Sequence, residues 1–238
     1  MIFNIENLNM IYDMEKEAMT YAVKNINLSL ENNKMIGIMG PSGSGKSSLI
    51  YAMAGLKEPT SGKISYNGQD YDNMNLNALA NLRKREFGFI FQRHFLIEYM
   101  SVLDNILVPI NSNSKADKQR AIELLGRMGI ESLYTKKPSK LSGGQRQKVA
   151  IARALINNPK VIFGDELTAA LDHESSSEVM KMLDEYKKNA LIVIVTHDKT
   201  ILKDADAIVN IWDGSITSIE EKERWYYEAT FSTKIYIS

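Results

Sequence analysis

The chain contains no cysteine, which excludes a disulfide scaffold, cysteine-ligated zinc, an iron–sulfur cluster and a thiol nucleophile. It has no net charge either, since 29 basic side chains balance 29 acidic ones. A protein that grips nucleic acid by bulk electrostatics is therefore not expected, but that balance leaves room for a local anion site made of backbone N–H groups. Long apolar runs are missing as well. The longest, such as Ala190 to Val195, fall far short of the ~18 residues that cross a bilayer. The opening Met1 to Asn9 carries Glu6 and lacks a basic stretch followed by an apolar one, so it does not read as a signal peptide. What remains is 238 residues, 44% of them apolar, enough for one or two domains with a proper core. A cytoplasmic protein is expected.

Four short apolar segments have the length and composition of strands: 35–39, 89–91, 161–163 and 191–195. Helix-like stretches lie between them at 47–54, 115–128, 143–157 and 175–188. Continuous apolar strands alternating with helices predict an α/β fold whose mostly parallel sheet is covered on both faces. The first thirty residues differ. Phe3, Ile5 and Leu8, then Ile26, Leu28 and Leu30, predict an antiparallel portion with alternate residues facing the core. The span from about 86 to 160 reads as a mainly helical insertion.

The residues just past the end of each strand carry the chemistry. Gly40-Pro41-Ser42-Gly43-Ser44-Gly45-Lys46-Ser47 fits G-x-x-x-x-G-K-S/T between a strand and a helix, the context that motif requires. Its glycines let backbone N–H groups converge on phosphate oxygens. Lys46 is expected to reach the β- and γ-phosphates and Ser47 to ligate Mg²⁺, with Ser48 completing the nucleotide-binding set at the helix start. A glycine-rich turn is the plain alternative, but a chance match in a chain this long has odds of about 1%. Asp165 and Glu166 stand at the end of another strand. Neighbours on an extended chain point in opposite directions, so Asp165 is expected to face the metal and Glu166 the attacking water. Alone, such a pair is usually a solvated surface feature; after a phosphate loop it reads as catalytic. Gln92 and Thr196-His197 succeed the other two strands, and ligands of open α/β sheets bind beyond that edge.

Leu141-Ser142-Gly143-Gly144-Gln145 narrows the field. Ser142 and Gln145 form a capping box for a helix that stops near Asn158-Pro159, and a glycine-rich helix start also suits an anion. The pentapeptide resembles the signature of ABC ATP-binding subunits, and the resemblance covers about residues 1–218. It implies a nucleotide-binding domain over 1–220, with a tail at 221–238 that contains Trp225, Tyr226 and Tyr227. It also implies that Ser142, Gly143, Gly144 and Gln145 act in trans on ATP held by a second copy, so that two chains close around two ATP molecules. Gln92 then matches a loop that senses Mg²⁺ and contacts the membrane subunit. His197 matches a switch that bonds the γ-phosphate. Ala170-Leu171-Asp172 matches the loop linking the two sites, and Tyr12 the aromatic residue that stacks on adenine, with a core or surface tyrosine as the plain alternative.

The segments 86–93 and 144–148 are similar to the subgroup serving lipoprotein release, macrolide export and cell division, to which peptide-antibiotic resistance systems also belong. The implied partner is a separately encoded membrane permease, with the ATPase peripheral on the inner face of a bacterial plasma membrane. A signalling or mechanotransmission permease of the cell-division type is the alternative, and a catalytically dead regulatory module is disfavoured by intact Lys46, Asp165, Glu166 and His197. Two departures stand out. Leu167 replaces the proline that usually follows the glutamate, and Leu96 to Ser101 lacks the usual proline of the docking segment.

Overall fold

The computed structural model describes residues 1–14 and 18–222; most of the tail, with Trp225, Tyr226 and Tyr227, lies outside them. Two strands, β1 (Phe3–Met14) and β2 (Ala18–Leu30), open the chain as an antiparallel pair. Phe3, Ile5, Leu8, Ile26, Leu28 and Leu30 are all buried, as the alternation predicts. The phase slips between Ile5 and Leu8 because Asn7 takes a left-handed φ of 49°, and Asn25 opposite does the same at 46°. Such bulges insert a residue without turning the apolar face outward.

The chain then runs through β3 (Met35–Met39), α1 (Lys46–Met53), β4 (Ser61–Tyr66), β5 (Gln69–Asp70), α2 (Leu76–Glu86) and β6 (Phe87–Ile90). Next come α3 (Val102–Leu107), α4 (Lys115–Gly126) and α5 (Gly143–Leu155), all between β6 and β7 (Val161–Asp165). The end is α6 (His173–Tyr186), β8 (Leu191–Val195), β9 (Ala207–Trp212) and β10 (Ser215–Glu221). The fold is α/β with two sheets. One is antiparallel, ordered β2-β1-β4-β5; the other is ordered β10-β9-β3-β8-β7-β6 and is parallel except for β10. Strands β7 and β8 are buried at every residue, the mark of a parallel sheet covered on both faces. Strand β6 is paired in this sheet, so the helical excursion begins after Ile90 rather than at residue 86. Phe3, Phe87, Phe89 and Phe163 pack between the sheets with ring centroids 5.5–6.0 Å apart.

Two features escape periodicity. Helix α2 fully buries none of its residues; only Leu79 and Leu82 pack as half-buried apolar side chains on the core, and its start is marked by Asn75, whose side chain accepts from the Ala78 N–H at 2.8 Å. The segment 97–101 is pinned by Asn105 of α3, which is fully buried. Its amide accepts from the Ile97 N–H at 2.7 Å and donates to the Ser101 and Ile97 carbonyls at 2.9 and 3.1 Å. Replacing Asn105 by alanine strands those groups, so Asn105→Ala is expected to lose about 2–3 kcal/mol of stability. A urea midpoint equal to that of the wild type would contradict this.

Candidate nucleotide site

Parallel pairing sets Ile38, Val195 and Asp165 level with one another. The ends of β3, β8 and β7 therefore meet at one edge of the sheet, with Gln92 leaving β6 beside them. From β3 the chain turns through Gly40 to Ser47 into α1. This loop is clasped from outside. A Cβ on Gly45 would stand 1.8 Å from the Ala22 carbonyl oxygen, and one on Gly40 2.1 Å from that of Ile211. Both residues also have positive φ, so only glycine fits. Pro41, Ser42 and Gly43 face solvent, whereas Ser44 is buried. Lys46, 8% exposed, folds its ammonium over the loop and donates to the carbonyls of Gly40 at 2.8 Å and Pro41 at 2.7 Å. Burial lowers its pKa, while the charges of Glu166 and Asp165 oppose that shift. An ammonium held this way by neutral acceptors is ready to exchange them for an anion.

Asp165 ends β7 and is buried. The Ser47 hydroxyl donates to its Oδ1 at 3.0 Å, and the Tyr51 hydroxyl to its Oδ2 at 3.0 Å. Burial raises the Asp165 pKa against those two hydrogen bonds. Tyr51 is pushed up to about 12, first by burial and then by Asp165, so it remains a donor at neutral pH. Sequence reasoning missed Tyr51. The signal available was its position four residues after Ser47, on the same face of α1.

Glu166 is separated from Asp165 by more than the expected strand alternation. Its φ is 50°, a left-handed conformation that costs a non-glycine residue about 1–3 kcal/mol and is characteristic of functional sites. Its N–H donates to the Val195 carbonyl at 2.9 Å, which fixes the turn. The carboxylate meets His197 Nδ1 at 2.8 Å. Strands β7 and β8 thus deliver an acid–imidazole pair to the edge that carries Lys46.

Helix α5 begins at Ser142 with the expected capping box. The Ser142 Oγ accepts from the Gln145 N–H at 3.2 Å, and Gln145 Oε1 accepts from the Ser142 N–H at 2.9 Å. Ser142 is exposed, and the space where a Gly143 Cβ would lie is empty. Gly144 instead packs on the Ala170 carbonyl, where a Cβ would stand at 3.2 Å. This open helix start lies beside the loop beyond Glu166.

A family model described as ABC transporter matches residues 23–169. The chain belongs to the ABC transporter family. It is 39% identical over 221 residues to the lipoprotein-releasing system ATP-binding protein LolD of Wigglesworthia glossinidia brevipalpis, covering 90% of this chain and 96% of that one. It is 42% identical over 212 residues to the macrolide export ATP-binding/permease protein MacB of a Shewanella strain, covering 87% of this chain. The match spans only 33% of that relative, so the cassette corresponds to about a third of the macrolide export proteins it resembles. Among solved structures, a dimeric bacterial ABC transporter cassette superposes with a TM-score of 0.88 at 33% identity, covering 92% of this chain and 98% of that one. A post-hydrolysis state of the same cassette with ADP and Pi gives the same score. The chain is an ABC-type ATPase cassette that binds adenine nucleotide.

Within the cassette, Leu167 does not loosen the turn after Glu166. Its side chain is fully buried, and its carbonyl accepts from the Gln147 amide of α5 at 2.8 Å; the Ala169 N–H donates to the Glu166 carbonyl at 3.1 Å. Gln147, itself buried, is a second residue that sequence reasoning missed; a glutamine on the buried face of an amphipathic helix is the available signal. Tyr12 is half-buried; its hydroxyl donates to Ser48 Oγ at 3.2 Å, and the Lys57 ammonium sits 4.5 Å from its ring centroid. Gln92 is exposed, two residues past the end of β6. Among the described residues no helix is long and apolar enough to cross a membrane.

The Glu166–His197 contact has a pH signature. The hydrogen bond and charge of Glu166 raise the His197 pKa. A raised folded-state pKa means that the pair's stabilisation is complete below the ordinary histidine value of about 6.5 and fades as pH rises through the elevated one. In an NMR titration of the imidazole, Glu166→Gln is expected to move the His197 midpoint down. An unmoved midpoint would show that the two side chains are not coupled in solution.

Proposed function

We propose that two copies of this cassette close on two ATP molecules and drive a membrane permease of an export, lipoprotein-release or peptide-antibiotic resistance system. In this reading the phosphate loop of one copy faces the Ser142 helix of the other. The observation that carries the proposal is the meeting of Glu166 and His197 at 2.8 Å, with Lys46 close enough to feel the charge of Glu166 and to act on His197.

Gly40 to Ser48 cradle the phosphates through loop N–H groups and the start of α1. Lys46 leaves the Gly40 and Pro41 carbonyls to pair with the β- and γ-phosphates. The donor set suits Mg²⁺, a hard ion that takes few protein oxygens and completes its shell with phosphate and water. The Ser47 hydroxyl and Asp165 carboxylate, 3.0 Å apart, supply such oxygens, and Gln92 approaches from β6. When bound, Mg²⁺ neutralises developing charge on the phosphates. Glu166 accepts the proton of the attacking water. Protonated His197 donates Nδ1–H to Glu166 and Nε2–H to the γ-phosphate. Tyr12 stacks on adenine through the ring face not taken by Lys57. Ser142, Gly143, Gly144 and Gln145 close over the γ-phosphate from the partner copy.

The nucleotide-binding domain spans 1–220, with its helical part inside 86–160. The permease contact lies around Gln92, where Phe95 is 61% and Tyr99 76% exposed. Arg153 holds that segment through the His94 and Phe95 carbonyls, both at 2.7 Å, and also lines a cavity of about 350 Å³ with Phe87, Phe89 and Pro109. A cassette docked there is peripheral to the membrane on its cytoplasmic side.

Glu166→Gln is expected to retain ATP binding, lose roughly 10²–10⁴-fold in turnover and accumulate as an ATP-bound dimer in light scattering; wild-type phosphate release would remove Glu166 from the chemistry. The in-trans assignment is tested by mixing. Ser142→Ala and Lys46→Ala, each inactive alone, are expected to recover hydrolysis together, because a mixed dimer holds one intact composite site. No recovery would place Ser142 in cis.

A further inference from the structure

Tyr51 lies outside every motif invoked so far, yet it touches the carboxylate on which the proposed metal site rests. Ser47 and Tyr51 are four residues apart on α1, so one helical face presents two hydroxyls. They take opposite oxygens of Asp165: Ser47 at Oδ1 and Tyr51 at Oδ2, each at 3.0 Å. A carboxylate gripped at both oxygens cannot rotate about its terminal torsion, which is otherwise soft. Asp165 is 3% exposed, so an oxygen released by Tyr51 has little access to bulk water as a replacement donor.

The phenol is itself held in place. Its ring centroid lies 5.6 Å from Phe89 and 6.4 Å from Phe91, and those two rings stack at 4.1 Å. Phe91 immediately precedes Gln92. Tyr51 therefore bridges the carboxylate at the end of β7 and the segment that carries the glutamine from β6.

We infer that Tyr51 is a positioning residue for Asp165: its hydroxyl fixes Oδ2, leaving Oδ1 and the Ser47 hydroxyl as the oxygen pair on the metal side. Its ring ties that geometry to the Gln92 segment. The inference rests on the reading of Asp165 as the Mg²⁺ carboxylate. It differs from a packing role, because packing needs only the ring.

Tyr51→Phe keeps the ring and removes the hydroxyl. In the full chain the Mg²⁺ concentration for half-maximal hydrolysis is expected to rise about tenfold, the scale of one hydrogen bond to a charged group. ATP affinity in EDTA, measured by calorimetry, is expected to stay at the wild-type value. A readout independent of turnover comes from Mn²⁺. Its EPR spectrum in the ATP complex of Glu166→Gln is expected to change when Tyr51→Phe is added. An unchanged Mg²⁺ requirement together with an unchanged Mn²⁺ spectrum would overturn the inference and leave Tyr51 a packing residue. An equal loss of ATP binding in EDTA would also overturn it, placing the effect in the phosphate loop. A wild-type protein that hydrolyses ATP without any divalent ion would instead sink the metal role of Asp165 itself.

Discussion

The parallel register of β3, β8 and β7 is the constraint that creates the site, because Ile38, Val195 and Asp165 stand level across three neighbouring strands. With that register the phosphate loop, the Asp165-Glu166 pair and Thr196-His197 all emerge at one edge. A slip of one residue in β7 would carry Asp165 to the opposite face of the sheet. Strands β7 and β8 are buried at every residue, so polar groups collect at and just past their carboxyl ends. The apolar core thus specifies the position of the polar groups, although it contributes none of them.

Electrostatics then separates the roles of two adjacent acids. Asp165 is desolvated, and its two oxygens are occupied by hydroxyl donors; such a group is held in one orientation. Glu166 has been rotated out of the strand by a left-handed backbone and meets an imidazole that is 74% exposed. The Glu166 side chain keeps 16% exposure beside that imidazole, enough to exchange a proton with water, whereas a buried carboxylate held by two hydroxyls is poorly placed for that step. Lys46 completes the balance. Its ammonium rests on two backbone carbonyls, which can be given up to a phosphate more readily than a carboxylate partner could, since neutral acceptors bind a cation less strongly than charged ones.

Much of this was legible in the sequence because it depends on local pattern. Four strand segments, the phosphate loop, the capping box at Ser142 and Gln145, and the antiparallel alternation of Phe3, Ile5 and Leu8 each occupy a short window, and the structure places them as expected. What escaped depends on contacts between distant residues or on backbone sign. Position 166 reads as ordinary extended chain until its φ is known. Tyr51 reads as a helix-interior aromatic until β7 brings Asp165 to it across 114 positions of sequence. Gln147 reads as a polar residue of a surface helix until the Leu167 carbonyl arrives. Helix α2 offers only a short, half-buried apolar face, Leu79 and Leu82, from which a period could be read. Leu167 gives the opposite case: it departs from the family proline, and its buried side chain and the Gln147 bond hold the turn by other means.

Those long-range contacts also join two distant parts of one cassette. The Ser142 helix is fastened to the loop after Glu166 through Gln147, which donates to the Leu167 carbonyl, and Gly144 lies beside Ala170. Under the proposed closure of two copies, a shift of the Glu166 turn would be carried to the Ser142 helix start. Closure that depends on a group present in ATP and absent in ADP is a difference in affinity between two states, and only such a difference can do work on a permease. Were α5 joined to the catalytic turn by apolar packing alone, it could slide with little penalty. A buried amide bonded to a buried carbonyl cannot slide without leaving both unpaired, and that makes the linkage stiff.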